Sequence, residues 1–142
     1  MRVSALSATA ALIVATLAGG AAPAAADTPA GPVLQVDLEA GKGLHHNIGT
    51  VFYERVDGAV NSVRIISVHI TSGERDCAWV SWNDPHGADG WTNLTSEPSC
   101  NGTGLEEHPD RIIKAPAGHP LKVRLAGDHP GSDVVHKDIE KL

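Results

Sequence analysis

Between two tryptophans runs the segment SWNDPHGADGWTN, residues 81–93, which sets Asp84, His86, Asp89 and two glycines between Trp82 and Trp91. Carboxylates, an imidazole and indoles suggest three chemistries: a calcium loop, a stacking platform for a ligand, or a turn. A calcium loop of the EF-hand type needs oxygen donors at positions one, three, five and twelve and glycine at six. With Gly90 at six, Pro85 and Gly87 occupy positions one and three and Ser96 stands at twelve; with Asp84 at one, His86, Ala88 and Asp89 occupy three, five and six. Neither register supplies the ligands. Asp84-Pro85 instead has the chemistry of a turn start, an Asx-type hydrogen bond followed by a fixed φ. If the loop closes a hairpin, Trp82 and Trp91 stand nearly opposite one another, a cross-strand pair contributing roughly 0.2–1 kcal/mol. Exposed indoles beside acids and amides can stack on a sugar ring or anchor a partner protein. Trp82, Asp84, His86, Asp89 and Trp91 are therefore the candidate ligand-binding residues.

The remaining reactive side chains point away from catalysis. The eight histidines include the adjacent pair His45-His46, which a strand would send to opposite faces, and His108, His119 and His129, each followed by proline and so biased to extended backbone. No H-E-x-x-H motif is present, and zinc wants three or four ligands. No metal site or other cofactor is expected. There is no G-x-S-x-G elbow. Glu106, Glu107 and Asp110 surround His108, but adjacent carboxylates in a glycine-rich stretch read as a solvated surface. The chain is expected not to be an enzyme.

The elements that must carry these residues read in twos. Leu34, Val36 and Leu38 alternate with Gln35, Asp37 and Glu39, the period of a half-buried strand. Further strands are expected over residues 48–56, 62–71, 77–82, 91–95, 111–114, 121–125 and 134–139. Residues 62–71 hold Val63, Ile65, Ile66, Val68 and Ile70, β-branched side chains that suit a pleated sheet. Their parity slips at Ile65-Ile66, which predicts a bulge or burial on both faces. Asp57-Gly58 and Ser72-Gly73 mark turns. Residues 96–110 read as loop, and residues 137–142 as a possible helical turn. Trp79 and Trp82, three apart, face opposite sides of a regular strand.

Six to eight short strands separated by turn signals predict an all-β fold, a small antiparallel β-sandwich or a small barrel. Cys77 and Cys100 allow one intramolecular pairing. In an oxidising compartment a disulfide is expected, stabilising the fold by roughly 3 kcal/mol. Cys77 and Trp79 share a strand face, so an indole packed on the bridge would be similar to immunoglobulin-like sandwiches in architecture alone. The cysteine spacing is too short for the inter-sheet bridge of those domains.

Residues 1–26 read as a cleaved signal peptide. Arg2 precedes an apolar run over residues 5–18, and Ala24-x-Ala26 fits the small-residue cleavage rule. The run is shorter than the about 20 residues that span a bilayer. Residues 27–32 then form a flexible arm and residues 33–142 a single domain. The chain carries a net charge of −6 and no basic run, which argues against nucleic acid and anionic membranes as partners. Its alanine- and glycine-heavy usage fits a high-GC bacterial source. Together these features predict a secreted, monomeric, non-enzymatic domain binding an extracellular glycan or protein. The alternatives are a secreted protease inhibitor, with a loop braced by the bridge, and a metal-binding protein using histidines and carboxylates. Protein recovered from culture medium is expected to begin at Asp27 on N-terminal sequencing and to show no titratable thiol before reduction. Retention of residues 1–26, or two free sulfhydryls, would overturn this expectation.

Overall fold

The computed structural model describes residues 31–130 and 134–139. The expected signal peptide, residues 27–30 of the expected arm, and residues 140–142 lie outside them. Ten strands follow in chain order: β1 (Leu34–Ala40), β2 (Asn47–Arg55), β3 (Ser62–Thr71), β4 (Cys77–Asn83), β5 (Trp91–Asn93), β6 (Ser99–Cys100), β7 (Gly104–Glu107), β8 (Arg111–Lys114), β9 (Lys122–Gly127) and β10 (Val135–Asp138). Single 3-10 turns occupy Gly43–His45 and Ala88–Gly90. Lys137 and Asp138 lie in β10, within the strand expected over residues 134–139 and not in a helical turn.

The strands form two five-stranded antiparallel sheets. The first runs β1-β2-β3, with β7 and β8 both pairing the far side of β3. The second runs β10-β9-β4, with β5 and β6 both pairing β4. Among the described residues no ladder joins the two sheets, so the architecture is an open sandwich and not a closed barrel. Each sheet has the same plan. A long central strand is covered by a continuous strand on one side and by two short ones on the other.

The parity slip at Ile65-Ile66 is a β-bulge. Phe52 lies opposite Ser67 while the next residue, Tyr53, lies opposite Ile65, which leaves Ile66 without a partner. On the other side of β3 the chain breaks at the same level. β7 pairs Val68–Thr71 and β8 pairs Ser62–Ile65, with His108-Pro109-Asp110 between them. Pro109 has no N–H to donate to a ladder there. Residues 96–110 are therefore not all loop. β6 and β7 arise within them despite their polar sequence, because Cys100 lies directly opposite Cys77 and because Leu105 pairs with Ile70. Neighbouring partners, not intrinsic preference, make these strands.

Alternation places Val51, Val63, Ile65, Val68 and Ile70 of the first sheet against Ala78, Val80, Val123 and Leu125 of the second, all essentially inaccessible to solvent. Each such Val, Ile or Leu stabilises the fold by roughly 1.5–3 kcal/mol relative to exposure. Cys77 and Cys100 form the expected disulfide, across adjacent strands of one sheet.

A polar hub closes one end of the sandwich. Asp76 is 3% exposed and Asn47 is 0% exposed. Asn47 Nδ2 donates to Asp76 Oδ2 at 2.8 Å, and Asn47 Oδ1 accepts from the Gly73 amide at 2.8 Å. The amides of Asp128 and His129 donate to Asp76 Oδ1 at 3.1 and 3.2 Å. Asp128 in turn accepts from the Cys77 amide at 2.9 Å. Gly73 must be glycine: a Cβ there would lie 2.3 Å from the Leu44 carbonyl oxygen. A buried carboxylate is tolerated only when its lone pairs meet donors. Asp76→Ala is therefore expected to lower unfolding free energy by about 3 kcal/mol, measured by chemical denaturation. A loss below about 0.5 kcal/mol, the scale of an ordinary surface substitution, would show that the hub does not hold this end together.

Candidate functional site

The loop between the tryptophans closes on itself. Asp84 Oδ1 accepts from the His86 amide at 2.9 Å, the Asx-type bond expected from its sequence, and Oδ2 accepts from Thr92 Oγ1 at 2.7 Å. These bonds, the Thr92 hydroxyl first and the His86 amide second, hold the Asp84 carboxyl below the ordinary aspartate range. Backbone bonds from Asp84 to the Gly90 carbonyl, from Gly87 to the Asp84 carbonyl and from Gly90 to the Gly87 carbonyl complete the turn. A Cβ on Gly87 would come within 2.3 Å of the Trp91 carbonyl oxygen, so the loop packs too closely there for a side chain. His86 and Asp89 are exposed, and Asp89 adopts a positive φ of 53°.

The two tryptophans do not form a pair. Asn83 lies opposite Trp91 and Thr92 lies opposite Trp82, so the indoles take opposite faces of the second sheet. Trp82 points inward and packs against the core, while Trp91 lies half-buried on the outer face. The hairpin places them one position out of step, and one position reverses the face. Trp79, three before Trp82, takes the outer side as the spacing predicts.

What Trp91 meets is a row of side chains from other strands. The Arg124 guanidinium of β9 stacks over the indole, 4.4 Å from its centroid. The ring of His136 on β10 lies 5.1 Å away. Arg124 pairs directly with Ser81 on one side and with His136 on the other, so all of these residues share one face. Ser81 is fully covered and donates to Asn93 Oδ1 at 2.8 Å. Burial pulls the Arg124 guanidinium below the ordinary arginine value, and the charge of Asp89 partly offsets that. Along the same face Lys122 faces Asp138 at 3.7 Å. The cation–π contact is of the partly desolvated kind, worth about 1 kcal/mol or more. Neither Arg124 nor His136 stands out in the sequence, because each reads only as the polar half of an alternating strand. Only the pairing of β4, β5, β9 and β10 brings them to Trp91.

The histidines and acids of the first sheet are occupied with one another. The Nε2 atoms of His69 and His108 lie 3.3 and 3.1 Å from the same Oε1 of Glu106, and His46 Nε2 lies 2.8 Å from Glu39 Oε1. Glu107, next to Glu106, does a different job. Its carboxylate accepts from the Ser96 amide and hydroxyl and the Glu97 amide, and these bonds, the Ser96 amide first, hold it below the ordinary glutamate range. Asp110 lies 4.0 Å from Arg64, which also faces Glu54 at 3.6 Å. Among the described residues no group of three or more His, Cys, Asp or Glu side chains is arranged to hold a metal ion.

No family model, curated protein or solved structure matches this chain, so the chemistry of its own surface has to carry the functional reading.

A depressed carboxyl pKa means that the folded loop favours the Asp84 anion. That stabilisation is present in full above the ordinary aspartate value of about 4 and is lost as pH falls through the lowered folded value. The amide proton shift of His86 is expected to titrate with a midpoint below about 4, and Asp84→Asn to abolish that titration. A midpoint at or above the ordinary value would show that the carboxylate is not held in the turn.

Proposed function

We propose that this chain is an exported, non-enzymatic domain that binds an extracellular glycan across the outer face of its second sheet, with Trp91 as the stacking surface. The observation that carries this reading is the half-buried indole of Trp91, braced by Arg124 at 4.4 Å and edged by His136 at 5.1 Å. A braced aromatic loses little freedom when a ligand settles on it, and lost freedom is a main cost of binding. Sugar rings present apolar C–H faces to an indole and hydroxyls to the surrounding polar groups. Asn93, Asp89 and His136 supply such groups around Trp91, and all three are exposed. The disulfide fits an extracellular setting, and among the described residues no helix is long and apolar enough to cross a membrane.

The inhibitor alternative has less support. It needs an extended loop standing clear of the body, whereas residues 96–107 are tied down by β6, β7 and the Glu107 carboxylate.

Titration of intrinsic fluorescence or heat against a broad oligosaccharide panel tests the proposal. At least one glycan is expected to bind, with Trp91→Ala weakening it about tenfold or more, a loss on the scale of an aromatic anchor. His69→Ala, on the outer face of the other sheet, is expected to leave binding unchanged. A panel without response, or equal affinity in the Trp91 variant, would overturn the reading.

A further inference from the structure

Arg124 is the side chain on this face whose state the fold leaves unexplained. Among the described residues its side chain makes no hydrogen bond and no ion pair within 4 Å; its Nε is buried without an acceptor, and its guanidinium stacks over the Trp91 ring. Arginine carries five N–H donors in a planar fork and stays protonated at neutral pH. An orphaned donor of this kind costs stability unless something supplies an acceptor. The nearest opposite charge that acts on it is Asp89, on the exposed loop above β5. The neighbouring titratable groups are His136, directly opposite in the ladder, and Lys122, which already faces Asp138.

Building on the glycan-binding reading of the same face, we infer that the sugar recognised there is acidic and that its carboxylate is received by Arg124. A carboxylate matches the guanidinium fork in shape and accepts two parallel N–H bonds. A half-buried guanidinium, already stripped of part of its water, gains more from such a pair than a fully exposed one does. Trp91 holds the fork in place from one side, so the arginine spends little further entropy on binding. The sugar ring then lies against the part of the indole that remains open to solvent.

The test uses the folded chain and three oligosaccharide classes of matched length: uronates, the same uronates as methyl esters, and neutral chains such as chito-oligosaccharides. Binding is followed by calorimetry at low and high salt. Uronates are expected to bind at least about tenfold more tightly than their esters, with the difference shrinking at high salt. Arg124→Gln is expected to bring uronate affinity down to that of the ester. Arg124→Lys, which keeps the charge but loses the fork, is expected to recover only part of it. Thermal unfolding of each variant shows whether it is folded, and Arg124→Lys serves as the informative variant should the glutamine form unfold. Equal binding of uronates, esters and neutral chains would overturn this inference while leaving the glycan reading intact. Failure of every oligosaccharide to bind would overturn both.

Discussion

The carboxylate of Asp76, buried against the amide of Asn47, is the constraint on which one whole end of the molecule depends. A desolvated charge confines the chain to conformations that deliver hydrogen-bond donors to it. Here those donors come from Asn47, the first residue of β2, and from the backbone at Asp128 and His129. The Asp76 carbonyl also accepts from the Asn101 amide, and the Gly73 carbonyl from the Gly102 amide. Strand β2, the β3–β4 turn, the β6–β7 turn and the segment after β9 are thus secured around one small group of atoms. The disulfide begins at the next residue, Cys77, so a covalent tie and a charged tie act side by side. Removing either leaves the other to hold strands that are too short to persist alone.

From that anchored end the two sheets extend with the same internal plan. Each central strand, β3 or β4, has a full-length partner on one side and two fragments on the other. The fragments are where the chain leaves the sheet and returns, so they carry the loops. In the first sheet the break at Pro109 lies level with the Ile66 bulge, and the local side chains settle into ion pairs around Glu106 and Arg64. In the second sheet the break lies between β5 and β6, and the long turn before β5 delivers Trp91 to the outer surface. The two outer faces therefore differ in kind. One is a mesh of histidines and acids that already satisfy one another, and the other holds an aromatic ring under a cation without an acceptor. The proposed binding face is the second, because unsatisfied donors and a braced indole leave interactions for a ligand to complete.

Parts of this arrangement are legible from composition and periodicity alone. The alternation around Leu34, Val36 and Leu38, the β-branched run over residues 62–71, the turn at Asp57-Gly58 and the parity slip at Ile65-Ile66 are local, and each appears in the structure as read. Period-two patterns report which residues share a face, and two cysteines admit one pairing. The Asx turn at Asp84 is equally local: its hydrogen bond reaches two residues along the chain.

The residues of the proposed binding face are settled elsewhere. A strand's pattern says that Arg124 points away from the core, but not that β9 lies beside β4 or that β10 lies beside β9. Trp82 and Trp91 looked like partners because they flank a hairpin, yet the hairpin's register is one position out of step and sends one indole into the core. Asp76 and Asn47, 29 residues apart, show no sign of each other in the sequence. Local sequence determined the all-β class, most strand positions and the turns, because those follow from steric preference and two-residue periodicity. Tertiary structure alone decided which strands adjoin, which acid is buried and which cation covers Trp91, because pairing between distant strands depends on the packing of the whole chain.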